Sequence, residues 1–144
     1  MSPAFSVRPA RWAEDETAIA VLRREVFIEE QGVPEALEWE AADPDHAWFV
    51  ACDASASVIG IARLTSEGRI GRMAVTLSWR RRGVGSALLR AVLAEGRARG
   101  HRRLILSAQT HAMGFYAQHG FVAEGEAYLD AGIPHRTMIL GVNQ

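Results

Sequence analysis

Apolar positions in two segments recur at the spacing of an amphipathic helix. Ile19, Leu22 and Val26 follow this spacing after Asp15 and Glu16, two acids suited to a helix N-terminus. This first helix is expected to end in "QGVPE", where glycine and proline stop it. The second helix is predicted to end near Gly100, and its apolar positions are Val84, Ala87, Leu88, Ala91 and Val92.

Short β-rich runs separated by polar turns predict the strands. The three central runs, "HAWFVACD", "SVIGIARLT" and "GRIGRMAVT", are close enough in the chain to form an antiparallel meander. "THAMGFYAQHG" predicts a short helix that ends at Gly120. The remaining strands are "AFSVRPA", "RRLILSA", "FVAEGEAYL" and "HRTMILGV". The pattern therefore predicts an α/β protein with a mixed sheet.

Size and composition favour one domain over residues 1–144. A chain of 144 residues with 49% hydrophobic content can bury a core of ordinary size. Its single cysteine, Cys52, lies in an apolar run, which excludes a disulfide framework and a zinc-type cluster and fits a reducing cytoplasm. No signal sequence or long apolar stretch is present, so neither secretion nor membrane insertion is expected.

Charge is distributed unevenly although the formal net charge is only -1. All 16 basic residues are arginine, and ten lie in the segment 69–103 against one acid. The segment 29–45 holds seven acids and no base, so a polarised molecule is expected. Only Trp79 accompanies the Arg80–Arg82 run as an aromatic residue, which argues against nucleic-acid binding.

The turn "RRRGVG", residues 80–85, lies at the predicted start of the second long helix. Free main-chain N–H groups at a helix start bind anions, and glycine lets a phosphate approach the backbone. The turn lacks the Gly-Lys-Ser/Thr ending of a nucleotide P-loop and the third glycine of a dinucleotide-binding turn. On these residues alone, a phosphate site and a solvated basic run are equally good interpretations.

The same turn resembles the Gln/Arg-x-x-Gly-x-Gly/Ala signature of the GNAT superfamily of acyl-CoA-dependent N-acetyltransferases. "GRIGRMAV" before it is similar to that family's fourth strand, and "LILSAQTHAMGFYAQHGF" after it to the following strand and helix. "VFIEEQGVP", "AQTHAMGFY" and "GIPH" resemble the ElaA-like branch, so the likeness runs from about residue 5 to residue 141. It implies a mostly antiparallel sheet that is splayed in the middle and flanked by helices.

The resemblance also implies a site for acetyl-CoA as co-substrate, with no metal. Gln109 stands where many members of the family have asparagine, so contact with the coenzyme is expected from Gln109 or His111. The other residues implied on the coenzyme side are Met73, Ala74, Val75, Arg80, Arg81, Arg82, Gly83, Val84, Gly85 and Ser86.

Tyr116 matches the tyrosine that the family uses as general acid on the departing sulfur. A phenol is protonated at neutral pH and can serve this role, although a packed aromatic residue is the alternative. The general base stays open between Glu29, Glu30, His111, His135 and water. His111 is favoured slightly because it precedes Tyr116 by five residues.

The expected activity is direct transfer of an acetyl group to a small amine with both substrates bound. A non-catalytic CoA-binding sensor or interaction module is the alternative, because fold does not fix function. The acidic segment 29–45 suggests a cationic amine, with Glu29, Glu30 and His135 on the acceptor side. The identity of the acceptor stays open, and so does a homodimer.

Overall fold

The computed structural model describes residues 4–142, so both ends of the predicted domain 1–144 lie outside the described residues. Seven strands form one sheet in the order β1-β2-β3-β4-β5-β7-β6. They are β1 (Phe5–Pro9), β2 (Ala47–Asp53), β3 (Val58–Leu64), β4 (Arg69–Val75), β5 (Arg103–Gln109), β6 (Val122–Asp130) and β7 (Ile133–Gly141). Every neighbouring pair is antiparallel except β4 and β5. The predicted strands and the central meander are therefore confirmed.

The first helix, α1, spans Trp12–Arg23 and continues into a π-helix over Arg24–Glu30. It begins at Trp12, earlier than the apolar pattern indicates, and Asp15 lies in its first turn, so the prediction of an acid at the helix N-terminus is confirmed. The Asp15 carboxylate accepts the main-chain N–H of Arg11 at 2.8 Å and pairs with the Arg8 guanidinium at 2.7 Å. Asp15 thus caps the N-terminus from within the first turn.

Three further helices complete the fold: α2 (Glu35–Glu38), α3 (Val84–Ala98) and α4 (Met113–Gln118). The predicted apolar face of α3 is confirmed, since Val84, Leu88 and Val92 are at most 1% exposed. Short 3₁₀ turns precede α3 and α4 and lie at Leu77–Trp79 and Thr110–Ala112. None of the helices within residues 4–142 has the length and apolar character needed to cross a bilayer.

Two apolar cores cover opposite faces of the sheet, because side chains alternate along each strand. On β2, Phe49 and Ala51 belong to the α3 core, whereas Val50 and Cys52 belong to the α1 core. Each large apolar side chain buried in this way contributes roughly 1.5–3 kcal/mol. The two cores hold β4 from both sides, and this fixes the strand on which the site is built.

The sheet opens in its middle, between β4 and β5. These strands pair for only two residues, with Arg69 opposite Ile105 and Ile70 opposite Leu106. Beyond Ile70 the strands diverge. The only parallel pair in the described sheet is thus also its shortest, and the gap beyond it leaves one edge of β4 unpaired.

A bulge in β4 lies at the start of this gap. Ile61 pairs with Ala74, whereas Arg63 pairs with Gly71, so two residues of β4 oppose one residue of β3. One of the two, Arg72, has a φ of 49°, in the left-handed region that few residues with side chains adopt. The bulge bends β4 away from β5.

The acidic segment 29–45 folds against arginines, mainly Arg23, Arg24 and Arg63, which lie outside the arginine-rich segment 69–103, so the expected polarisation of the molecule stays a prediction. Arg23 is 1% exposed, and its Nε donates to Glu38 Oε2 at 2.7 Å while its Nη1 donates to Asp43 Oδ2 at 2.9 Å. Removing Arg23 would take the nearest cationic partner from both buried carboxylates. The acid–arginine pairs formed by this segment include Glu30–Arg80, Glu35–Arg24, Glu38–Arg23, Glu40–Arg63 and Asp43–Arg23.

Candidate functional site

A cleft of about 540 Å³ lies where β4 and β5 diverge. Its walls come from β4, β5, the π-helix, α4 and the β6–β7 turn. The cleft collects nine of the candidate residues: Glu30, Met73, Ala74, Val75, Arg80, Gln109, His111, Tyr116 and His135. Sequence reasoning thus named residues from the π-helix, β4, β5, the 3₁₀ turn before α4, α4 itself and β7, and the fold brings them together.

The main chain of β4 offers hydrogen-bonding groups to this cleft. Thr76 N–H donates to Ile59 of β3 at 2.9 Å, and successive residues of a strand direct these groups to alternate sides. Val75 and Met73 therefore direct their N–H and C=O groups away from β3, toward the gap. Ala74 is paired with β3, and its side chain lies in the α1 core, so the three neighbouring candidates are not equivalent.

Tyr116, on α4, faces β4 across the cleft. Its hydroxyl lies 3.9 Å from Met73 Sδ, and its ring packs edge-on against Phe115 and Phe121 with centroids 5.1 and 6.0 Å away. Burial raises the pKa of Tyr116 to about 12, because the phenolate would lose solvation. The side chain therefore carries its proton throughout the neutral range and can act as a proton donor.

The glycine turn forms the N-terminus of α3 beside this cleft. Gly83 has a φ of 84° and Arg81 one of 63°, so two left-handed residues turn the chain into the helix. No side chain within residues 4–142 caps this end of α3, and the first-turn N–H groups keep their capacity to bind an anion. Val84 itself is 1% exposed, so only its main chain can contact a ligand.

Arg80 and Glu30 bind each other, which the sequence interpretation did not anticipate. The Arg80 Nη atoms lie 2.6 and 2.7 Å from the Glu30 carboxylate, and Nε donates to the Val75 carbonyl at 2.9 Å. The hydrogen bond from Arg80 lowers the pKa of Glu30. Arg80 therefore joins the glycine turn to β4 and the π-helix, and Glu30 is a weaker base than a free glutamate.

Two other coenzyme-side candidates have protein partners. Gln109 Nε2 donates to Gln31 Oε1 at 2.8 Å, so the amide bridges the end of β5 and the end of the π-helix. Ser86 Oγ lies 3.2 Å from His119 Nε2. Both side chains are thereby held in place, and a ligand would reach Ser86 through its main-chain N–H.

The structure separates the four candidate bases. Glu29 does not line the cleft but faces a second depression next to Trp39, because it lies on the outer side of the π-helix. His111 is exposed at the cleft on the 3₁₀ turn before α4. His135 is buried, and its Nδ1 donates to the Ile133 carbonyl at 2.7 Å, which leaves Nε2 as the proton-accepting nitrogen of the neutral ring.

The far end of the cleft contains charged residues that sequence reasoning missed. Glu38, Glu40, Arg63 and Arg72 line it, and Arg63 is only 5% exposed. The signal was present in the strand "VIGIARL", because an arginine inside a buried strand requires partners. Within residues 4–142, no group of three or more His, Cys, Asp or Glu residues could hold a metal ion.

Comparisons with known proteins agree with this architecture. A family model described as "Acetyltransferase (GNAT) domain" matches residues 12–142. YjcF of Bacillus subtilis, named an uncharacterised N-acetyltransferase, is 35% identical over 122 residues, covering 82% of this chain and 86% of the relative. The UPF0039 protein Rv2851c of Mycobacterium tuberculosis is 36% identical over 143 residues, covering 89% of this chain and 88% of the relative.

Solved structures show the same fold. An acyl-CoA N-acyltransferase from Pseudomonas aeruginosa superposes with a TM-score of 0.79 at 29% identity, covering 96% of this chain and 99% of the other. ElaA of Escherichia coli superposes with a TM-score of 0.84 at 23% identity, covering 94% and 99%. The predicted mostly antiparallel, splayed α/β fold is confirmed.

Proposed function

The chain belongs to the GNAT family of N-acetyltransferases, and from that premise we propose that it moves an acetyl group from acetyl-CoA directly to a small amine. The observation that carries the proposal is one cleft that joins the edge of β4 that no longer pairs with β5 to the protonated hydroxyl of Tyr116. Both substrates would meet there, so no covalent acetyl-enzyme is needed. Cys52, the single cysteine, is buried in the α1 core and does not line the cleft.

The coenzyme side fits the turn Arg81–Ser86. The uncapped N–H groups at the start of α3 suit a pyrophosphate, and the left-handed Gly83 has no atom within 4 Å of the position a Cβ would take. A ligand can therefore approach the backbone. Arg81 and Arg82 are exposed and add positive charge, whereas Arg80 is occupied by Glu30.

Bound acetyl-CoA would supply an activated acetyl group as a thioester. The N–H groups of Met73 and Val75 face the cleft and are suited to stabilise negative charge that develops on a carbonyl oxygen, an effect worth roughly 3 kcal/mol. Tyr116 holds a proton on its hydroxyl that it can give to a thiolate. His135 Nε2 and the exposed His111 are the proton acceptors best placed for the amine.

The test compares two glycines with the same backbone conformation at opposite ends of α3. Gly83 and Gly100 have φ values of 84° and 81°, and a Cβ at either position would meet nothing within 4 Å. Valine strains both sites alike, but only Gly83 lies in the proposed pyrophosphate turn. We expect Gly83→Val to weaken acetyl-CoA binding more than about tenfold in calorimetry, because the side chain excludes phosphate from the backbone.

Gly100→Val is the matched control and should leave the affinity within about twofold of the parent. Binding to the parent should also weaken with added salt, because phosphates are held by charges near the surface. Equal acetyl-CoA affinities in both valine variants would contradict the assignment of this turn.

A further inference from the structure

The far end of the cleft is where an acceptor would bind, and its carboxylates already have cationic partners. Glu38 Oε2 lies 2.7 Å from Arg23 Nε and 3.1 Å from Arg72 Nε. Glu40 Oε2 lies 3.2 Å from Arg63 Nη1. The expectation of a cationic acceptor depended on free carboxylates in this segment. The carboxylates of Glu38 and Glu40 already have arginine partners and need no cation from a ligand.

The arginines at this end, in contrast, keep unused donors. Arg63 has a side chain that is 6% exposed, and its Nε makes no hydrogen bond to any residue from 4 to 142. Arg72 Nε approaches Glu38 without hydrogen-bond geometry and is also unsatisfied. Arg69 lines the cleft with no ion pair recorded in the described part of the chain. Unmet donors of buried charged groups cost free energy, and because both Nε atoms are shielded from solvent, an anion in the cleft would offset that cost through its charge.

The surroundings of Arg63 favour an anion further. Burial is the main cause that lowers the pKa of Arg63; Glu40 and Asp43 act against it, and the positive charges of Arg72 and Arg23 lower the pKa further. A Cβ at Gly71 would lie 3.2 Å from Arg63 Nη2. Because residue 71 is glycine, no side chain at this position of β4 crowds the guanidinium, which is itself only 6% exposed. An anion there would offset both the desolvation and the repulsion between the arginines.

We infer that the acceptor amine carries an anionic group, a carboxylate or a phosphate, which is held at the arginine end of the cleft by Arg63, Arg69 and Arg72. This inference rests on the proposed acetyl transfer and specifies its acceptor. The amine end of such a molecule would point along the cleft toward Tyr116. Apolar side chains of Val26 and Phe27 line the cleft beside the arginines and would contact the carbon skeleton.

Binding can be measured without turnover in the presence of saturating CoA, which keeps the phosphate sites of the glycine turn filled. The probes are compared in pairs. Each L-amino acid is compared with its amide, which lacks the carboxylate, and O-phosphoethanolamine is compared with ethanolamine, which lacks the phosphate. We expect the anionic member of at least one pair to bind about tenfold more tightly in calorimetry than its partner. The pair that shows the preference distinguishes a carboxylate from a phosphate.

Arg69→Gln tests the site itself, because Arg69 lies outside the buried ion-pair network and can be replaced without uncovering a carboxylate. This variant should reduce the ratio of the two affinities, anionic probe over the partner that lacks the anionic group, at least about fivefold. The matched control is Arg103→Gln, an exposed arginine at the start of the neighbouring β5 that does not line the cleft, and it should leave the preference unchanged.

Equal binding of the two members of every pair, or no binding of any anionic probe, would overturn the inference. So would a preference that survives in Arg69→Gln. Failure of the proposed function would be seen separately, as unchanged acetyl-CoA affinity in the Gly83→Val experiment.

Discussion

Removing the hydroxyl of Tyr116 separates catalysis from packing. In Tyr116→Phe the ring keeps its edge-on contacts with Phe115 and Phe121, and the hydroxyl loses only a weak 3.9 Å contact with Met73 Sδ. Stability should change by less than about 1 kcal/mol, and acetyl-CoA affinity by less than about twofold. Turnover should fall about 10²- to 10⁴-fold if the phenol is the acid, a barrier increase of about 3–5 kcal/mol.

The assay follows release of the free CoA thiol with the best amine found, alongside calorimetry of acetyl-CoA. Tyr128→Phe is the matched control, because Tyr128 is the other of the chain's 2 tyrosines and its hydroxyl bonds Ser107 Oγ. The control should keep turnover within about threefold of the parent. Turnover of Tyr116→Phe within about twofold of the parent would refute the role, and equal losses of binding and stability would indicate packing.

The pH dependence gives an independent check on the same residue. A tyrosine with an ordinary pKa of about 10 is half ionised at pH 10, whereas Tyr116 with a pKa of about 12 would be about 1% ionised. Ionisation of the acid should therefore cause no loss of kcat between pH 8 and 10. A decline with an apparent pKa near 10 that disappears in Tyr116→Phe would contradict the raised pKa.

Two further predictions concern stability and can be checked by urea denaturation. Arg23→Met should cost about 3–5 kcal/mol because it removes the nearest cationic partner of the buried Glu38 and Asp43, whereas the exposed neighbour Arg24→Met should cost less than about 1 kcal/mol. Gly96→Ala should cost about 1–3 kcal/mol because its Cβ would lie 2.7 Å from Leu104 Cδ1, whereas Gly114→Ala, with no neighbour within 4 Å, should be neutral or stabilising. Equal effects within either pair would contradict the packing described.

The elements of the fold were predictable where local periodicity and burial coincide. Val84, Leu88 and Val92 repeat at helical spacing and all lie in the α3 core, and the β-rich runs became strands. The bulge was not predictable, because Arg72 has no intrinsic preference for a φ of 49°. Its conformation follows from the pairing of β4 with β3, a long-range constraint that local sequence does not encode.

The candidate site was predictable as a set of residues but not as a set of interactions. The glycine turn and Tyr116 are recognisable from short motifs, since their roles depend on residue type and local backbone. The pairing of Arg80 with Glu30 links residues 50 positions apart, and no local pattern specifies it. The same holds for Gln109 and Gln31, which are 78 positions apart.

The distribution of charged residues shows why the composition of a segment does not by itself predict the charge of the folded surface. An acidic segment and an arginine-rich segment in one chain are consistent both with a polarised surface and with mutual pairing, and local sequence does not distinguish the two. Arg23 and Arg63 lie outside the arginine-rich segment, and their burial holds Glu38, Glu40 and Asp43 in ion pairs, because a guanidinium in the core requires carboxylates close by. The pairing of Glu38, Glu40 and Asp43 with arginines reduces the negative charge that this segment offers to a cationic amine. Selection of the acceptor must then rest on contacts within the cleft, where the unmet donors belong to arginines.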